Sequence, residues 1–205
     1  MNQKRIQDYG IKIGRLPSGP RNKITDVAGV QVGHSTIHEG NHHTGVTVIL
    51  PGPDNAFSLK YTAASYVHNG FGKSCGLVQI GELGTLETPI ALTNTLNTGL
   101  VWDALVQYTI DRCQADHVPV CSINPIVGEC NDCQINDIRH RAVTEAHVRE
   151  AIAKAGADFA EGDVGAGTGT VCYGLKGGIG SASRVVEICG RPYTIGVLVQ
   201  PNFGS

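Results

Sequence analysis

Residues 24–37 read ITDVAGVQVGHSTI and residues 44–52 read TGVTVILPG, and the alternation in these two stretches decides the fold class. In the first, Ile24, Val27, Val30 and Val32 are interleaved with polar or small residues, and Gly29 offers a turn. That pattern predicts a strand, a turn and a second strand, because side chains alternate faces along an extended chain. The second stretch predicts another strand, stopped by Pro51. Working outward, residues 75–95 (CGLVQIGELGTLETPIALTNT) hold two short apolar runs, 77–80 and 90–92, both read as strands. Asn97 or Thr98 can cap a helix in which Leu100, Val101, Ala104, Leu105 and Tyr108 form one apolar stripe, the mark of a helix covering a sheet. Residues 118–129 (VPVCSINPIVGE) are β-like and interrupted by Pro125. Thr144 and Glu145 start a second helix that turns Val148, Ala151, Ile152 and Ala155 to the core and ends at Gly156. Gly190 and Arg191, between two β-branched runs, predict a hairpin. The Gly/Pro-punctuated stretch up to Arg21 reads as an arm packed on the body. Helices alternating with antiparallel strands predict an α+β layered sandwich, one domain over residues 1–205.

Composition narrows the function classes. Sixteen basic and eighteen acidic residues give a net charge of −2, without the basic excess expected of a nucleic-acid or anionic-membrane binder. No apolar run approaches the ~18 residues of a membrane span, and no secretory leader is recognisable. Seven cysteines without such a leader read as reduced thiols in a cytoplasmic protein. Glycine, at 27 of 205 residues, is well above the ~7% average and implies close backbone approaches.

Several segments invite chemistry. Residues 162–184 (GDVGAGTGTVCYGLKGGIGSASR) fail the Walker pattern, because Lys176 is followed by Gly177, and they fail GxGxxG as well. No nucleotide or other cofactor is expected, and the segment reads as backbone lining a tight polar pocket. Cys130 and Cys133 form a CxxC with no second ligand pair at zinc-site spacing, so they read as free thiols. His34, His38, His42 and His43 cluster in HSTIHEGNHH, but not at helical i, i+4 spacing, and read as a polar loop rather than a metal site. Glu129, Asn131, Asp132, Asn136 and Asp137 crowd the end of a β run, which suits either a site or an Asx-rich turn. Asn202 follows the last strand, where an amide could donate to an oxyanion or simply form a turn. There is no GxSxG elbow, and Ser181 in GIGSASR is a weak look-alike.

Six segments in order, ITDVAGVQVGH (24–34), TGVTVILP (44–51), TPIALTNTLNTG (88–99), GECNDCQINDI (128–138), EGDVGAGTGTVCYGLKGGIGSASR (161–184) and YTIGVLVQPNFG (193–204), carry a family resemblance that runs nearly end to end. Together they resemble the DmpA/BapA group of self-processing serine aminopeptidases, the L-aminopeptidase/D-esterase and β-peptidyl aminopeptidase family. The resemblance implies an αββα sandwich similar to N-terminal-nucleophile hydrolases. It also implies a precursor that cuts itself before a serine, whose hydroxyl then attacks an amide or ester carbonyl. Asn202 matches the family asparagine of the oxyanion hole. Glu129 matches an acidic residue that meets the substrate's free amino group, and Asn131 sits where some members carry a tyrosine that assists the oxyanion. Gly167, Thr168 and Gly169 are expected to line the pocket. Family precursors continue past the NFG-type segment before the nucleophile, so the resemblance assigns that serine to a β chain outside this sequence. Ser205, with no free α-amine, is not expected to be it. The implied partners are that β chain, a short peptide or amino-acid amide, and further copies of the αβ unit. The alternatives are a non-catalytic relative that binds small amines or peptides, and an acyltransferase on a related self-processing fold.

Overall fold

In the computed structural model, which describes residues 4–68 and 70–204, strands β1 (Gln31–Glu39) and β2 (His42–Leu50) form an antiparallel hairpin. Two-residue strands β3 (Tyr61–Thr62) and β4 (Thr85–Leu86) pair with each other and flank helix α1 (Leu77–Leu83). Strand β5 (Ile90–Asn94) joins β2 antiparallel, and β6 (Ile126–Cys130) joins β5 parallel. A parallel pair needs a crossover, and helix α2 (Thr98–Ala115) supplies it. Helix α3 (Glu145–Ala153), the short pair β7 (Val171–Cys172) and β8 (Leu175–Lys176), and a long hairpin of β9 (Gly180–Ile188) and β10 (Arg191–Val199) complete the order.

The main sheet, ordered β1-β2-β5-β6, is packed on both faces. Val46 and Val48 of β2 meet Val101, Ala104 and Leu105 of α2 and Val148 and Ala151 of α3. Ile49 and Val32 point the other way, into a second cluster with Phe159, Ile179 and the half-buried Leu198. This gives a helix layer, a sheet and a β9–β10 ribbon, three successive layers of an αββα sandwich. Strand β2 is antiparallel to both neighbours and lies between the helix layer and the ribbon, so every residue from Thr44 to Ile49 is buried, the polar ones included. Helix α3 rides directly on β1 at Gly33, where a Cβ would lie 2.0 Å from the Ala151 carbonyl oxygen.

Four local expectations change. Of the β-like stretch 118–129, residues 118–125 belong to no strand, and β6 begins only after Pro125. Residues 24–27 do not form a strand. Ile24–Asp26 is a single 3-10 turn, because the Asp26 carboxylate accepts the N–H groups of Arg21 and Lys23 at 3.0 and 3.3 Å and the Ser183 hydroxyl at 2.6 Å. Such side-chain-to-backbone bonds compete with extended pairing. Residues 77–80 lie in α1, not a strand. Ile80 is its buried residue while Val78 is 81% exposed, a one-sided pattern that a short apolar run cannot distinguish from a strand. At the start of α2, Asn97 occupies the cap position, but the capping oxygen belongs to Asn94, which accepts from the N–H groups of Leu96 and Asn97 at 3.1 and 3.2 Å.

The arm is docked as expected. The Arg5 guanidinium donates to the carbonyls of Arg21, Asn22 and Ser181 and pairs with Glu161 at 3.1 Å. Among the described residues no helix is long and apolar enough to cross a membrane.

Candidate active site

Glu129 is the penultimate residue of β6, set opposite Thr93 by the parallel register. Its half-buried carboxylate is held at both oxygens. Oε1 accepts the Lys73 N–H at 2.9 Å, and Oε2 accepts the Thr95 hydroxyl. Asn131, just past the strand, is exposed. Its Oδ1 accepts the Cys133 N–H at 3.0 Å in an Asx turn, which leaves its NH2 group as the part of the side chain that could serve a ligand. The Asn131 carbonyl accepts Nδ2 of Asn202 at 2.6 Å.

Three contacts bring Asn202 to this point. The Gln200 amide donates to the Ala166 carbonyl at 2.7 Å, and the Gln200 carbonyl accepts the Cys130 thiol at 3.3 Å. The Phe203 carbonyl accepts the Tyr173 N–H at 2.8 Å, with the two rings in edge contact at 4.8 Å. The structure therefore gathers Glu129, Asn131 and Asn202 at one end of the sheet, from two segments far apart in the sequence.

Gly167, Thr168 and Gly169 are buried behind them. The Thr168 hydroxyl donates to the Gly165 carbonyl at 2.7 Å. A Cβ on Gly169 would lie 2.2 Å from the His43 carbonyl oxygen and 2.7 Å from Cβ of Asp132. This stretch is a wall that backs the loop after β6.

The polar cluster at 129–137 divides. Asp132 is 1% exposed, and burial pushes its carboxyl above the usual carboxylate range against the pull of the Asn136 amide, 3.0 Å away. Asp137 instead pairs outward with Arg139 at 3.1 Å. Cys130 is unpaired, and burial, reinforced by the nearby carboxylates of Glu129 and Asp132, pushes its thiol up to about 12. It therefore stays protonated and unreactive at neutral pH.

The four clustered histidines are split between different partners. His34 bonds to Thr47 at 2.9 Å and to the Ala160 carbonyl at 3.0 Å, His38 meets His43 edge-on, and His42 stacks on His140. Among the described residues no group of three or more His, Cys, Asp or Glu could hold a metal ion. Ser181 is a strap: its hydroxyl accepts the Ile24 N–H and donates to the Val197 carbonyl, each at 2.7 Å. Ser205 lies outside the described residues.

Sequence reasoning missed Thr95 and the Lys73 N–H. The polar run TNT at the end of an apolar strand was a usable signal for the former, whereas a main-chain donor carries no side-chain signature.

A helix-covered sheet faced by a β-ribbon is a fold that this chain shares with a family of peptidases. The chain belongs to peptidase family S58, whose sequence pattern matches residues 22–205. It is 40% identical to the β-peptidyl aminopeptidase BapA of Sphingosinicella xenopeptidilytica over 212 residues, covering 98% of this chain and 52% of that protein. It is also similar to two solved structures. The PH0078 protein of Pyrococcus horikoshii OT3 superposes with a TM-score of 0.94 at 50% identity, over 98% of this chain and 60% of that one. The L-aminopeptidase D-Ala-esterase/amidase of Ochrobactrum anthropi, described as a variant of the Ntn hydrolase fold, does so with 0.90 at 38%, over 98% and 58%. The fold is thus that of the DmpA-like aminopeptidases. The chain spans about half the length of the curated relatives it matches.

Proposed function

We propose that this chain is the α chain of a self-cleaving N-terminal-serine aminopeptidase. It would release the N-terminal residue from short peptides, amides or esters that carry a free amino group. The observation that supports this reading is the hydrogen bond from Asn202 to the Asn131 carbonyl, which ties an amide suited to an oxyanion to the strand end that carries Glu129, a carboxylate suited to an ammonium group. Glu129 binds the substrate amine by a charge-assisted hydrogen bond, which fixes where the scissile carbonyl lies. The β-chain serine hydroxyl adds to that carbonyl carbon, and its proton passes to the serine's own α-amine, whose reference pKa is about 7.7–8.0. The developing oxyanion takes a hydrogen bond from Asn202, with Asn131 as a second donor. As the tetrahedral adduct collapses, the protonated α-amine returns the proton to the departing amine or alcohol, and water, deprotonated in its turn by the α-amine, then releases the acyl group.

The β chain docks on the outer face of the β9–β10 ribbon, where Tyr193, Ile195, Val197 and Val199 are about half exposed. The working unit is an oligomer of αβ pairs in the cytoplasm, in keeping with seven unpaired cysteines.

The test is the denatured mass and N-terminal sequence of every chain in the purified full-length gene product, together with its turnover of amino-acid amides. A second chain beginning with serine, and faster turnover of free-amine than of N-acetylated substrates, supports the reading. A single unprocessed species that binds amines without hydrolysis would instead make it a binding protein. Transfer to an acceptor amine outrunning hydrolysis would make it an acyltransferase.

A further inference from the structure

We infer that Thr95 is a positioning residue that presets Glu129 for the substrate's amino group. The inference rests on the reading of Glu129 as the amine-binding carboxylate.

Glu129 has three rotatable side-chain bonds, and an ammonium ion arriving at a mobile carboxylate would have to order it first. Here that order already exists. Oε2 accepts a hydrogen bond from the Thr95 hydroxyl, and Oε1 accepts one from the Lys73 main-chain N–H at 2.9 Å. An ionised carboxylate has about four acceptor positions, so two remain for an incoming ammonium.

Thr95 is itself held firmly. It lies one residue beyond β5, where the pairing of Thr93 with Glu129 and of Asn94 with Cys130 carries it across to the carboxylate. It begins a 3-10 turn (Thr95–Asn97) capped by Asn94, its carbonyl accepts the Thr98 hydroxyl at 2.8 Å, and only 9% of its surface is exposed. The hydroxyl is thus aimed by a rigid strand end, the arrangement that preorganisation of a binding group requires. The TNT run (93–95) within TPIALTNTLNTG thereby acquires a function.

The experiment compares wild type, Thr95→Val, Thr95→Ser and Glu129→Gln in the full-length, processed gene product. It reads kcat and KM for an amino-acid amide, and the inhibition constant of its N-acetyl form. Thr95→Val removes one hydrogen bond to a charged group, so KM for the free amine should rise roughly tenfold. Its kcat should change by less than about twofold, because uniform binding is what is lost, and inhibition by the N-acetyl compound should be unchanged. Thr95→Ser keeps the hydroxyl and should restore KM. Equal weakening of free and acetylated ligands, equal damage by Ser and Val, or a Thr95→Val protein that fails to fold or process would each overturn the inference by making Thr95 a structural residue. If Glu129→Gln weakens free and acetylated ligands by the same factor relative to wild type, the amine-binding reading fails. If Glu129→Gln selectively weakens the free amine and Thr95→Val does not, only the positioning role falls.

Discussion

The side-chain amide of Asn202 donates to the main-chain carbonyl of Asn131 at 2.6 Å, joining residues 71 positions apart. An amide has two N–H donors. One holds the loop after β6, and the other stays available to a ligand bound beside Glu129. Asn202→Ala should therefore lower kcat by roughly 10²–10³-fold, the usual cost of losing an oxyanion donor, with a much smaller change in KM. Asn202→Asp should be at least as damaging, since its carboxylate offers no donor and faces the Asn131 carbonyl. Steady-state kinetics on the processed protein decide this, and a near-normal kcat in either variant would remove Asn202 from the chemistry.

The wall behind the site predicts an asymmetric response to added methyl groups. A Cβ on Gly169 would sit 2.2 Å from the His43 carbonyl oxygen, so backbone would have to move. Gly99, in α2, has open space where its Cβ would be. Gly169→Ala should cost about 1–3 kcal/mol or more through overpacking. Gly99→Ala should be neutral or stabilise by up to about 1 kcal/mol through helix propensity. Thermal melts of the two variants side by side test the contrast, and equal melting temperatures would contradict it.

The Gly169 case also shows what was legible in the sequence. Glycine excess announced close approaches, β2, α2 and α3 were readable from their apolar periodicity, and the β9–β10 hairpin was readable from Gly190 and Arg191 between two β-branched runs. Residues 24–27 and 77–80 misled for one shared reason: four apolar-rich residues carry too few periods to separate a strand from a turn or a helix. In the first, Asp26 overrode the alternation with hydrogen bonds to Arg21, Lys23 and Ser183. Glu129, Asn131 and Asn202 stood out by pattern as site-or-turn candidates, but only the family resemblance grouped them into one site, because their approach depends on the path of Gln200 past Ala166 and Cys130. Pattern within a segment cannot report a contact between segments.

His34 gives the fold an acid limit. Burial holds its imidazole below the ordinary value of 6.5, and its partners suit the neutral ring. Nε2–H donates to the Ala160 carbonyl, while Nδ1 accepts the Thr47 hydroxyl, whose oxygen in turn accepts the Ala166 N–H at 3.1 Å. A depressed folded-state pKa means that the unfolded chain takes up the proton first. The His34 contribution to stability is therefore present above about pH 6.5 and is lost as the pH falls toward the depressed value. His34→Gln should flatten the pH dependence of the melting temperature below about pH 6.5. A wild-type slope in that variant would show that other groups set it.

The β9–β10 ribbon predicts where assembly can be broken. Tyr193, Ile195, Val197 and Val199 alternate along β10 and are 49, 51, 47 and 47% exposed. Gly196 lies between them with its Cβ position blocked by Ile24, which places the four side chains on the outward face. Full burial of an aliphatic or aromatic side chain is worth about 1.5–3 kcal/mol, so completing the burial of this row would favour association with a second apolar surface. Burying a lysine there would cost more than the row gains. The pair Ile195→Lys and Val197→Lys should therefore leave this chain at least as soluble when made alone. The same pair should stop the full-length gene product from yielding an associated two-chain species on size exclusion. Substituting Glu187 and Arg191 instead, at the far end of the hairpin, serves as the control and should leave association intact. Normal assembly in the Ile195/Val197 variant would mean that the β chain seats elsewhere on the α chain.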